Sequence, residues 1–280
     1  MKTAIFTSAL LALTVTPAFA GNNWDTPAEP YRIADNVWFV GTEGIGAYLI
    51  TTPKGHILID SGTQKGAGLV EANIVRLGFA VKDVKILLES HAHFDHIGGM
   101  AKLKADTGAT FIASAADRPI LEGGRHIGDN ENGTPSFAAV KVDRLIGHAE
   151  TVSLGGVTLT AHLTPGHTQG CTTWTMPVVI NKKAHRAVFF CSTTTAGNVL
   201  VGNKTYPGIV ADYRLSFKRL KAIRADVFLV NHPDFAHMAD KRHRQIAGDA
   251  DAFVDPSEFQ AFVAKSEQAF ETELKKQTKK

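Results

Sequence analysis

Short, β-branched apolar runs alternate with stretches of helical periodicity along most of the chain. Apolar runs bounded by turn residues predict strands at Val37–Thr42, Ala47–Thr51, His56–Asp60, Val84–Glu89, Thr110–Ala113, Val157–His162 and Val227–Asn231. Two further runs, Cys171–Ile180 and Arg186–Cys191, flank the polar turn Asn181-Lys182-Lys183 and read as a hairpin. Helical spacing predicts helices over Gln64–Leu77, His96–Asp106, Tyr213–Ile223 and from Pro256 to about Lys276. In the last of these, Asp255 is placed to cap, Pro256 suits the first turn and Glu258 completes a capping box. Phe259, Phe262, Val263, Phe270 and Leu274 then share its apolar face, and the lysines at its end complement the helix dipole. Nothing between Asp25 and Asp255 reads as a linker, so the pattern predicts one α/β domain over residues 21–280, with helices closing over two packed sheets. Glu122–Ser136, rich in glycine and polar residues, is expected to be a long surface loop.

The first twenty residues stand outside this pattern. Lys2, the apolar stretch Ala4–Val15 and the small-x-small triplet Ala18-Phe19-Ala20 form a signal peptide cleaved after Ala20, and Thr14, Thr16 and Pro17 end the apolar run too early for a bilayer span. An exported chain with no membrane span after cleavage is expected, periplasmic in a diderm bacterium and monomeric. Lys+Arg 30 against Asp+Glu 27 gives a net charge of +3, which lacks the basic field that nucleic-acid binding requires. If the hairpin turns near Lys183, Cys191 faces about residue 175 and lies beyond disulfide reach of Cys171. Two free, buried thiols are therefore expected.

The histidines change the picture most. The strand Val84–Glu89 runs into Ser90-His91-Ala92-His93-Phe94-Asp95-His96-Ile97-Gly98-Gly99, where alternation lets His91, His93 and Asp95 converge while His96 points elsewhere. Gly98 and Gly99 allow a close helix approach. Two later strand ends add His167, within Thr164-Pro165-Gly166-His167-Thr168, and His232, before Pro233. Five imidazoles and one carboxylate are too many for one tetrahedral ion but suit two, and the nitrogen-rich set favours zinc over magnesium or calcium. The expected assignment is His91, His93 and His167 on a first zinc, with Asp95, His96 and His232 on a second. No metal role is expected for His56, His126, His148, His162, His185, His237 or His243.

His91, His93, Asp95 and His96 form a His-x-His-x-Asp-His signature, by which the chain resembles the metallo-β-lactamase superfamily. That resemblance implies a four-layer αβ/βα sandwich with a dinuclear site. Glyoxalase II and lactonases of the superfamily follow the third histidine with a bridging aspartate, whereas this chain has Val188-Phe189-Phe190-Cys191-Ser192-Thr193-Thr194 there. Ser192, Asn36–Thr42, Tyr206-Pro207, Asp212–Phe217 and a final His232 are similar to class B β-lactamases of subclass 3. The implied activity is hydrolysis of the β-lactam ring of penicillins, cephalosporins and carbapenems by water activated at two zinc ions, which confers antibiotic resistance. Asp95 is implied to orient that water as well as ligate, and Ser192 and Thr194 to bind substrate. A lactone or thioester hydrolase of the same fold, or a non-catalytic zinc-binding protein, are the alternative readings.

Overall fold

Along each strand, neighbouring side chains enter two different cores. The computed structural model describes residues 23–130, 133 and 135–279, so Met1–Ala20, where a signal peptide is expected, lies outside the described residues. Strands β1 (Tyr31–Ala34), β2 (Val37–Phe39), β3 (Tyr48–Thr52), β4 (Gly55–Ile59), β5 (Val84–Leu88), β6 (Thr110–Ser114) and β7 (Arg144–Ile146) form one sheet in chain order. It is antiparallel up to β4 and parallel beyond. Parallel pairing requires crossovers, supplied by α1 (Gly66–Arg76) and by α2 (Phe94–Ile97) with α3 (Met100–Thr107); α4 (Arg118–Gly123) follows β6. Leu49, Leu58, Leu87 and Phe111 face outward against Ala67, Val70 and Ile74 of α1 and Met100 and Leu103 of α3. Their neighbours Ile50, Ile57, Leu88 and Ile112 face inward onto the second sheet.

That second sheet contains β8 (Thr151–Leu154), β9 (Val157–Leu163), β10 (Thr172–Ile180), β11 (Lys183–Phe190) and β12 (Val227–Val230), in the order β12-β11-β10-β9-β8. Its outer face carries α5 (Ile209–Ala222) and α7 (Glu258–Thr278), locked by Tyr213 stacked on Phe270 with ring centroids 4.6 Å apart. α6 (Met238–Ile246) lies between β12 and α7 in sequence. The layers are therefore helix, sheet, sheet, helix, the expected four-layer sandwich. Tyr48 Oη donates to Val230 O at 2.6 Å and Trp174 Nε1 to Glu89 O at 2.9 Å, pinning the ends of β12 and β5 to the opposite sheet.

Several expected elements change at their ends for local reasons. The helix expected over His96–Asp106 is two pieces, broken at Gly98-Gly99. A Cβ on Gly98 would collide with Phe94 O and Gln64 N, and one on Gly99 with the Ala67 side chain, so the close approach demands both glycines. α7 starts at Glu258 rather than Pro256, and the capping box does not form. Asp255 Oδ1 instead accepts from Ser257 N at 2.8 Å and Oγ at 2.6 Å, while Glu258 pairs with the buried Lys241 Nζ at 2.5 Å. β1, β7, β8, α4 and α6 were not expected. The strands are too short to show a period, and α6 buries only Met238 and Lys241.

The free-thiol expectation is wrong: Cys171 and Cys191 form a disulfide, with Cα atoms 5.9 Å apart. The error lies in the turn. Asn181 and Lys182 both adopt positive φ, 49° and 63°, which makes a two-residue turn and pairs Ile180 with Lys183. Trp174 then faces Phe189, so Cys191 comes level with Thr172 and reaches its neighbour Cys171. Loop closure over a separation of 20 residues predicts a loss of about 3 kcal/mol in the Cys171→Ser/Cys191→Ser double variant. A denaturant midpoint unchanged in that variant would contradict this.

Candidate metal centre

Three strand ends meet at one edge of the sandwich. The chain leaves β5 after Leu88, tightens where His93 N donates to His91 O at 3.0 Å, and His93, with φ −97° and ψ 145°, opens α2, so Asp95 and His96 fall in its single turn. His167 follows β9 and His232 follows β12. Two triads result, His91/His93/His167 and Asp95/His96/His232, the ligand atoms within each lying within 4.8 Å of one another. These are the six residues singled out in the sequence, divided as expected.

The hydrogen bonds leave the ligand nitrogens bare. Ser90 Oγ donates to Asp60 Oδ2 at 2.7 Å and therefore accepts from His91 Nδ1 at 3.0 Å. His167 Nδ1 donates to Thr194 O at 2.8 Å. Both rings consequently turn an unprotonated Nε2 inward, and the two Nε2 atoms face each other at 3.1 Å. In the second triad His96 Nε2 lies 3.2 Å from His232 Nε2 and 3.1 Å from Asp95 Oδ2, with His232 Nε2 3.5 Å from that oxygen. A tetrahedron with zinc–nitrogen bonds of about 2.0–2.1 Å has edges of about 3.3 Å, so lone pairs opposed at this spacing fit a shared cation far better than each other.

The electrostatics agree. Burial, followed by the neighbouring imidazoles, holds His91 and His93 well below the ordinary histidine range and His167 at about 4. Burial and then His96 do the same for His232, also at about 4. All four are thus neutral and ready to ligate at pH 7. Burial alone would raise Asp95 and lower His96, but each outweighs the other's desolvation: Asp95 stays far below its usual range and His96 is raised. Asp60, pushed up to about 6 chiefly by burial, supports Ser90 through the backbone N–H as well, at 2.7 Å.

Gly166 sets the aim of His167. Its φ is 135°, and a Cβ there would meet the Tyr213 ring at 2.7 Å, while Tyr213 Oη donates to the same Thr194 carbonyl that holds His167. Gly166→Ala is expected to cost about 1–3 kcal/mol and to weaken the first metal site, read by melting temperature and metal content together. A variant of native stability and metal content would refute that role.

A cavity of about 410 Å³ opens over the triads. Trp24, Phe94 and Phe235 form an apolar wall beside His232, and the loop expected over Glu122–Ser136 supplies His126, Asn130, Gly133 and Pro135 opposite. Thr194 lines the cavity. Ser192 is buried, accepts from Thr194 N at 3.2 Å and does not line it. His126 belongs to neither triad, yet its ring centroid is 5.0 Å from that of His93. Sequence reasoning missed the aromatic wall and the supporting residues Asp60 and Asn231. Only the position of Asn231 beside His232 hinted at its part; its Nδ2 donates to Cys191 O at 2.6 Å and ties β12 to β11 at the site.

Residues 40–232 match the model of the metallo-beta-lactamase superfamily. The chain belongs to that superfamily. Among solved structures, this superfamily chain is similar to BJP-1, a subclass B3 metallo-beta-lactamase of Bradyrhizobium japonicum, at 44% identity and a TM-score of 0.86, over 91% of this chain and 97% of that one. It is also similar to the FEZ-1 metallo-beta-lactamase from Legionella gormanii, at 40% identity and a TM-score of 0.86, over 90% and 98%. A curated superfamily relative, described as a probable metallo-hydrolase of Burkholderia pseudomallei, is 33% identical over 103 residues. That match covers 36% of this chain and 34% of the relative's own length.

Proposed function

We propose that this protein is a periplasmic hydrolase that opens the β-lactam ring of antibiotics with two zinc ions. The observation that carries the reading is the pair of adjacent histidine-rich triads, set in a scaffold 44% identical to a subclass B3 enzyme over nearly its whole length. His91, His93 and His167 would hold the first zinc, and Asp95, His96 and His232 the second. Zinc bound there would lower the pKa of a coordinated water towards neutrality and polarise the lactam carbonyl.

The chain's own groups do the rest. Asp95 Oδ2 sits between His96 and His232 at the cavity floor, where it can accept a hydrogen bond from the attacking water and fix its direction. Thr194 Oγ1 can donate to the carboxylate that these antibiotics carry. Trp24, Phe94 and Phe235 exclude water from one side and offer apolar area to the drug's side chain. Ser192, packed behind Thr194, acts by holding that residue's backbone. The disulfide supports export to an oxidising compartment, as does the sequence of Met1–Ala20.

Incubating zinc-loaded protein with a carbapenem, with and without a chelator, tests the reading through the loss of β-lactam absorbance. Chelator-sensitive ring opening is expected. Turnover of lactones or thioesters with the β-lactam left intact would replace this function with another hydrolase activity of the same fold.

A further inference from the structure

The outer face of the second sheet is only half covered. α5 and α7 bury the β11–β12 half through Phe190, Phe228 and Phe259. Over β9 and β10, the alternation Thr158, Thr160, His162 and the cross-strand partner Thr175 leave a polar face, and a cleft of about 530 Å³ lies between it and α5. This cleft shares no lining residue with the cavity over the triads, and it gathers nitrogen donors, two of them cationic, from three directions. Arg186 enters from β11, Arg219 from α5, and His148 from the turn before β8.

Neither guanidinium has a carboxylate within ion-pair distance among the described residues. Arg219 Nη1 is steadied by Leu163 O at 2.6 Å, and the Arg186 side chain makes no hydrogen bond. Asp226 accepts from the backbone N–H of Arg186 at 2.9 Å and lies 3.9 Å from His185, whose side chain points to the opposite face of the sheet from that of Arg186. His148 Nδ1 accepts from Leu163 N at 3.2 Å, which leaves Nε2–H as a donor; its ring centroid is 6.1 Å from that of His162. Burial, then His148, Arg186 and Arg219, hold His162 down at about 4, so its imidazole is neutral beside the two guanidinium groups.

We propose that this cleft is a second ligand site, for the dianionic phosphoryl group of free phosphate or of a small phosphomonoester. Two guanidinium forks match a dianion in charge and geometry where a single carboxylate would leave one unpaired. The Thr160 hydroxyl and His148 Nε2–H add neutral donors. Pro177 and Ala222 give the remaining volume an apolar floor on which the organic part of an ester can rest.

NMR titration of isotopically labelled, metal-loaded protein with inorganic phosphate, and separately with glycerol 3-phosphate, tests this residue by residue. Saturable shifts are expected at Thr160, His162 and Thr175, weakened about tenfold or more by Arg186→Gln, the loss of one charge-assisted contact. Equal affinity for the two probes would mean that the phosphoryl group alone is recognised, and tighter binding of the ester that Pro177 and Ala222 take part. Arg219→Gln also removes the bond to Leu163 O, so Arg186→Gln is the deciding variant. The proposal falls if the cleft residues do not saturate, if sodium chloride at matched ionic strength moves them equally, or if Arg186→Gln leaves the titration unchanged.

Discussion

Asp95→Asn is expected to lower kcat/KM for a carbapenem by about 10²–10⁴-fold, the usual span for a positioned proton-transfer group. The amide keeps the shape of the carboxylate but not its charge. In the native site His96 and His232 hold that carboxylate ionised against its own desolvation, and its Oδ2 is the one anionic atom of the second triad. Losing it leaves two imidazoles for the second metal and no anionic acceptor for the water. Metal analysis should therefore show the His91 triad still filled and the second site depleted. Turnover near that of the native protein would remove Asp95 from the mechanism, whatever the metal content.

Removing the metals is expected to abolish hydrolysis and to lower stability together, by about 4 kcal/mol for each site relative to protein in zinc at about a thousandfold over that site's dissociation constant. The metal-free protein should also become acid-sensitive in a defined window. An unfolded histidine takes up its proton near pH 6.5, whereas His167 and His232 in the folded chain resist until about 4, and His91 and His93 are likewise held well below the ordinary range. Between those limits the unfolded state binds more protons, so stability is full above about pH 6.5 and falls as pH drops towards 4. His96, raised by Asp95, works in the opposite sense, one residue against four. Melting temperatures of chelated protein across that range check the sign; a rise on acidification would mean the imidazoles are not buried neutral.

The resemblance carried by His91-x-His93-x-Asp95-His96 reached the fold, and the motif alone placed four of the six triad residues at one strand end, because they and the strand that presents them are contiguous in the chain. The hairpin shows where such reading stops. Asn181-Lys182-Lys183 admits two turn positions by composition, and a shift of the turn carries Cys191 past several residues of β10. Turn dihedrals decide it, and neither Asn181 nor Lys182 is a glycine that would have announced positive φ. Likewise the helix expected from His96 breaks at Gly98-Gly99 because the backbones of α2 and the Thr63–Gln64 segment come too close for side chains, a contact between elements that periodicity cannot see.

The sequence by itself determined the ligand types, their strand-end positions and the two-faced strands, since each follows from local spacing and side-chain chemistry. Tertiary structure alone decided how those ends meet. Thr172 N on Ser90 O at 2.8 Å, Trp174 on Glu89 O and Tyr48 on Val230 O tie the two packed sheets together beside the site, and so bring His91 Nε2 to 3.1 Å from His167 Nε2 across 76 residues. The aromatic wall of Trp24, Phe94 and Phe235, the disulfide and the open half of the second sheet have the same origin. Each depends on the register and packing of distant segments, which no local pattern of residues encodes.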